Sequence, residues 1–163
     1  MKFNADPKTD GAGEYLKIKD KESVVGVFRG EPLEYYAKWD GKKSSKCDPT
    51  DAKARFRFRV NFIVQESGSL KSLIWEQGPM VYNSLKAINA DYNLESHFMK
   101  ITRHGSGMND TEYMIMPVPN GALDASKEQM VAAVPLQDLN SGLELNSVQP
   151  LPPSTQASDE LPF

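Results

Sequence analysis

The sequence predicts a mainly β fold: a small five-stranded barrel with one helix between its third and fourth strands, followed by a disordered acidic C-terminal tail. Three observations predict it. The stretch 54–64, Ala-Arg-Phe-Arg-Phe-Arg-Val-Asn-Phe-Ile-Val, alternates at period two: Phe56, Phe58, Val60, Phe62 and Val64 share one side, and Arg55, Arg57, Arg59 and Asn61 the other. Side chains alternate faces along a strand, so this is a half-buried strand with an aromatic core face and a guanidinium row opposite. The apolar period turns helical over Val81, Leu85, Ile88 and Tyr92, with extended runs on both sides. From Ser141 onward, Pro150, Pro152 and Pro153 stand among Ser, Thr and Gln, a composition that builds no packed core.

In chain order, residues 1–13 read as a flexible N-terminal arm, with Pro7, Gly11 and Gly13 among small and charged residues. Ser23–Arg29 is the first strand, and Gly26 in its interior marks a bulge or bend. Gly30-Glu-Pro32 interrupts it, and Leu33–Trp39 resumes extended structure. A long polar connection, residues 40–53, carries Lys42, Lys43, Lys46 and Lys53; connections of this length tend to be functional or disordered. The arginine strand follows, then a hairpin turn at Ser67-Gly-Ser69 and a third strand, Leu70–Glu76. Gly78-Pro79 opens the helix, since proline is favoured at the first helical position, and Asn93 suits its end. His97–His104 and Thr111–Met116 are the last strands, joined by the loop Gly105–Asp110. The domain is thus expected over 14–118, with 119–163 a linker and acidic tail in which Ala125–Val134 is able to form a short helix.

Composition bounds the chemistry. One cysteine, Cys47, excludes an internal disulfide and an all-cysteine metal cage. No apolar run approaches the roughly 18 residues of a membrane span, and the first ten residues lack a signal-peptide core, so a cytoplasmic protein is expected. The net charge of −3 divides unevenly: residues 1–118 carry +2 and residues 119–163 carry −5.

Strand–strand–strand–helix–strand–strand is the order of the OB-fold, whose second and third strands and 1–2 and 4–5 loops form its usual oligonucleotide surface. In that frame the arginine row lies on strand two, Trp75 on strand three, and the lysine-rich segment in the 1–2 loop. Arginines two residues apart stand roughly 7 Å from one another, suited to an extended phosphate chain. Non-specific single-strand binding needs cations that follow phosphates and flat aromatics on which bases stack. Arg29, Lys42, Lys43, Lys46, Arg55, Arg57, Arg59 and Arg103 are the candidate cations, and Tyr35, Tyr36, Trp39 and Trp75 the candidate platforms. Core packing competes for each aromatic. Tyr35 and Tyr36 point to opposite faces, so one belongs to the core, while Trp39, at a strand end among Lys38, Asp40 and Lys42, is the favoured platform.

The runs Phe28-Arg-Gly30, Tyr36-Ala-Lys-Trp39, Ala54-Arg-Phe-Arg-Phe-Arg-Val60, Val81-Tyr-Asn-Ser-Leu85, Lys100-Ile-Thr-Arg103 and Thr111-Glu-Tyr113 resemble those of bacteriophage single-stranded DNA-binding proteins with an OB core, over about residues 14–118. The resemblance implies a protein that coats and protects single-stranded DNA in phage replication, recombination and repair, in the host cytoplasm, without strong sequence specificity. Asp159-Glu-Leu-Pro-Phe163 resembles the acidic tip of bacterial single-stranded DNA-binding proteins. That likeness implies that Asp159, Glu160, Leu161, Pro162 and Phe163 dock replication and recombination enzymes. Some proteins of the phage group carry several cysteines in the 1–2 loop; this loop has only Cys47, so neither metal nor other cofactor is expected.

Two other classes compete with this reading. A nuclease site needs clustered carboxylates, whereas the acids here are scattered over turns, and His97 and His104 fall on opposite strand faces; no enzyme is expected. An OB module that binds only proteins would keep the tail but would not require the arginine row and lysine loop on one face. Weak salt dependence of binding would favour it.

Overall fold

The computed structural model describes residues 14–107, 110–141 and 143. Six strands, β1 (Ser23–Trp39), β2 (Ser44–Lys46), β3 (Arg55–Glu66), β4 (Ser69–Gln77), β5 (His97–His104) and β6 (Glu112–Ala122), join two helices, α1 (Pro79–Asp91) and α2 (Ala125–Ala132). The described chain divides into two compact units, one holding residues 35–56 with 140, 141 and 143, the other residues 14–34 and 57–139.

The larger unit is built on an open antiparallel sheet of order β4-β3-β1-β5-β6. Its central hairpin pairs β3 with β4 from Phe58↔Gln77 to Glu66↔Ser69. Ser67 and Gly68 both take positive φ, 52° and 83°, as a two-residue turn between right-twisted strands requires. Gly26 of β1 is needed because a Cβ there would run into Ile63 O and lie 2.7 Å from the Phe62 ring, so β1 and β3 meet where a side chain has no room. Val27, Phe28, Phe58, Phe62, Ile63, Ile74, Met99 and Ile101 fill the core. Gly78 precedes α1 and Pro79 opens it; Val81 and Leu85 face the sheet, but Tyr92 at the far end is exposed. Asn93 does not end α1: Tyr92 does, and Asn93 starts the next turn by accepting the Glu95 amide.

The sheet is not closed into a barrel. The outer edge of β4 takes residues 14–16 in place of β6: Leu16 N donates to Ile74 O (2.8 Å), Ile74 N donates to Glu14 O (2.8 Å), and Tyr15 bridges Ile74 in parallel. At the two sheet ends Trp75 packs against Tyr113, ring centroids 5.3 Å apart and edge to face.

Structure also continues past residue 118. β6 runs on to Ala122, and α2 follows, its first turn capped by the Asp124 carboxylate on Lys127 N (2.8 Å). Val131 of α2 packs on Val27 and Ile63, with Leu70, Phe98, Leu123 and Val134 around them. Val131 is the buried residue of this short, N-capped helix, and Glu128 ties it to Arg29 as well. The short helix expected within 125–134 is α2, and residues 119–122 belong to β6. The N-terminal arm 1–13 and the stretch 144–163 lie outside the described residues.

Candidate nucleic-acid interface

The smaller unit holds the accessible candidates. Within it β1 pairs with β2 through Ala37↔Lys46, Lys38↔Ser45 and Trp39↔Ser44. The turn between them is tied by Asp40, whose Oδ1 accepts from Lys42 N (2.8 Å) and Lys43 N (2.9 Å), while Gly41 supplies φ 100°. Those backbone amides, Lys43 first, hold the Asp40 carboxyl below the usual carboxylate range. The carboxylate thus faces its own turn. Residues 48–54 are ordered by the same device: Asp48 accepts from Thr50 N and Oγ1, and Asp51 accepts from Lys53 N and from Lys38 Nζ (2.8 Å).

Along this end of β1, Tyr35 and Ala37 are buried, Tyr36 is half-buried with its ring edge-on to Phe56 at 5.7 Å, and Trp39 is 62% exposed. Of the two tyrosines, Tyr35 is the core residue. Among the described residues, no salt bridge joins Lys42, Lys43, Lys46 or Arg55 to a carboxylate, and Arg55 is exposed at the start of β3. An exposed indole at the end of the strand that leads into the turn carrying the exposed Lys42 and Lys43 supplies the parts for stacking a base and holding its phosphate.

In the larger unit the remaining candidates are engaged internally. Arg29 grips Glu128 with both Nη atoms (2.9 and 2.6 Å) and donates to Glu95 O (2.7 Å). The bidentate pair holds Arg29 above, and Glu128 below, its ordinary pKa. Arg103 fastens the β5–β6 loop, donating from Nε to Gly105 O (3.0 Å) and from Nη1 to Ile18 O (2.8 Å). Trp75 is 2% exposed between Phe28 and Tyr113, with no ring face left for a base.

Arg57 and Arg59 both reach Glu76, at 3.2 and 2.7 Å. The alternation read in β3 is correct in parity, yet Phe58 through Val64 are all buried, so both faces are covered there. Arg59, 6% exposed, lies over the Tyr15 ring at 5.5 Å and donates from Nη1 to Leu139 O (3.0 Å). Asn61 is held by Ser72 and by the main chain of Gln137. The local pattern of residues 137–139 does not place them on this face; their sequence signal is Asn61 and Ser72, polar groups inside two strands otherwise bound for the core.

The predicted set therefore divides. Tyr36, Trp39, Lys42, Lys43, Lys46 and Arg55 share the small unit with accessible surface, Arg57 is part-exposed, and Arg29, Tyr35, Arg59, Trp75 and Arg103 are built into packing. The loop Gly105–Asp110 is described except at 108 and 109, and the tip Asp159–Phe163 lies outside the described residues. Among the described residues, no three His, Cys, Asp or Glu side chains are placed to hold a metal, and no helix is long and apolar enough to cross a membrane. Comparison with protein-family models, curated proteins and solved structures finds no match to this chain.

Proposed function

We propose that this chain is a single-stranded DNA-binding protein of the phage type, and that the hairpin of residues 35–56 is its principal contact surface. The observation that carries the reading is Trp39, 62% exposed at the end of β1 beside the outward Lys42 and Lys43. An indole left in water is an unusual place for so large an apolar group and suits a stacking platform. Tyr36, Lys46 and Arg55 complete the set. Strand order supports the OB reading: β1 is central, and the path corresponds to that barrel opened between its third and fifth strands, with the helix in the expected place. In this reading the protein coats single strands in the cytoplasm of a phage host, and the stretch Asp159–Phe163 recruits replication or recombination proteins.

The test is a titration of tryptophan fluorescence with oligo(dT) and with an equal length of duplex, from about 50 to 300 mM salt. Quenching by dT, a steep salt slope and little duplex response are expected. No quenching and no binding of any oligonucleotide would refute the reading and favour a module that binds proteins alone.

A further inference from the structure

Residues 136–139 cross the β3–β4 face in a way that ordinary loop packing does not require. Asn61, 2% exposed, uses its whole amide: Oδ1 accepts from Gln137 N (2.8 Å) and Ser72 Oγ (2.7 Å), and Nδ2 donates to Gln137 O (3.2 Å). Arg59 donates to Leu139 O, and Gln137 Nε2 donates to Ser72 O (3.0 Å). Main-chain atoms of Gln137 and Leu139 make three of these bonds, and the Gln137 side chain makes one. Its side chains contribute little burial, since Leu136 is 46% exposed and Asp138 is exposed. α2, just before it, has separate anchors in Val131 and in the Arg29–Glu128 pair.

What β3 grips is a short row of acceptors. Gln137 O and Leu139 O, two residues apart, stand up to about 7 Å from each other on an extended chain. They meet an amide donor and a guanidinium, with a second guanidinium, Arg57, further along the same strand face. Arg59 and Arg57 each pair with Glu76, and Arg59 Nη1 is the donor that meets a neutral carbonyl; that donor gains by exchanging the carbonyl for a phosphate oxygen, because hydrogen bonds between opposite charges are shorter and about twice as strong. Asn61 and Arg59 grip main-chain carbonyls, as a non-specific contact does, and the Gln137 side chain adds one bond to Ser72 O.

We infer that residues 135–139 are a displaceable strap over a second single-strand contact surface, formed by Arg57, Arg59 and Asn61 on β3, and that a bound strand replaces the strap's carbonyls with phosphate oxygens. This rests on the single-strand reading above and adds a regulated second surface to it. The strap opens while α2 stays docked.

The experiment is amide hydrogen exchange on the full chain with and without saturating oligo(dT), together with dT affinity of the full chain and of Gln137→Pro. Proline removes the N–H donated to Asn61 and lies outside every strand and helix. The expected result is faster exchange over 135–139 with dT, unchanged protection over 125–132, and binding by Gln137→Pro about tenfold tighter, since a competing contact has been weakened. If dT binds but residues 135–139 stay equally protected, or Gln137→Pro binds no tighter, the strap is a fixed part of the fold and the inference is overturned while the single-strand reading stands. If neither protein binds dT, the single-strand reading fails and takes the inference with it.

Discussion

Replacing Trp39 by alanine separates binding from folding, because the two tryptophans sit in opposite environments. Trp39 is 62% exposed and Trp75 is 2% exposed. Losing the Trp39 ring therefore leaves no core cavity, and a surface change of this kind shifts stability by no more than about 0.5 kcal/mol. Loss of one stacked base costs about 1–3 kcal/mol, which is roughly 5- to 150-fold in affinity. Trp39→Ala should thus melt like the parent and bind oligo(dT) at least about fivefold more weakly. Quenching offers an independent reading: Trp39→Phe should abolish most of the dT-induced change in emission, and Trp75→Phe should keep it. The assay is fluorescence titration beside a thermal melt. Parental affinity in Trp39→Ala, or quenching that follows Trp75, would refute the assignment of the platform and with it the reason for placing the interface on this hairpin.

Three further outcomes are expected. Converting Lys42, Lys43 and Lys46 together to glutamine should lower the log–log salt slope of dT binding by up to about 2, near 0.7 for each phosphate no longer neutralised; an unchanged slope would remove these lysines from the interface. Gly26→Ala should destabilise the domain by about 1–3 kcal/mol or more in chemical denaturation, because the added methyl meets Ile63 O and the Phe62 ring; a neutral result would mean β1 shifts freely against β3. The Arg29–Glu128 pair predicts an acid limit on α2 docking. Its carboxyl titrates below the ordinary glutamate value of 4.5, so its contribution is complete above that pH and disappears as pH falls through the lowered value. Protection factors of the amides across 125–132, referred to the intrinsic exchange rate at each pH, should fall in that acid range, and Glu128→Gln should flatten the dependence.

Local pattern made much of this fold legible. The β3–β4 turn at Ser67-Gly68 and the start of α1 at Pro79 each follow from residues within a few positions of the feature; Gly26 reads locally as a bulge or bend, whereas the atoms that require it, on Phe62 and Ile63, come from a distant strand. Which side of a strand sees water is another matter. Period two separates Arg59 and Asn61 from Phe58 and Val60, but only contacts from Tyr15 and residues 137–139 decide that the arginine side is covered too. Arg29 reads as an exposed cation until Glu128, 99 positions away, is brought against it. The open sheet has a similar origin: pairing of residues 14–16 with Ile74 occupies the edge that a closed barrel would give to β6. Residues 119–139 look sparse because their few apolar groups are spread out, yet Val131 and Val134 fall where the cluster around Val27 and Ile63 needs filling.

The division between arginines and lysines has a physical logic. A guanidinium carries a planar fork of donors and is weakly hydrated, so a folding chain rich in carbonyls and carboxylates recruits it as an internal clamp. Arg29, Arg59 and Arg103 have each been taken up in this way, by Glu128, by Glu76 with Leu139 O, and by the carbonyls of Ile18 and Gly105. An ammonium group is compact and strongly hydrated and is held less readily. In the hairpin, moreover, the carboxylates of Asp40 and Asp48 accept backbone amides of their own turns, so they do not draw Lys42 and Lys43 inward. Arg55 and Arg57 remain accessible at the start of β3, before the fully buried run begins at Phe58. A row of arginines in a sequence is therefore weaker grounds for a phosphate-binding face than a lysine turn whose acids are already engaged. On those grounds the proposed interface belongs to the hairpin around Trp39 rather than to the middle of the arginine strand, and Arg59 becomes reachable only if the segment that now occupies it lets go.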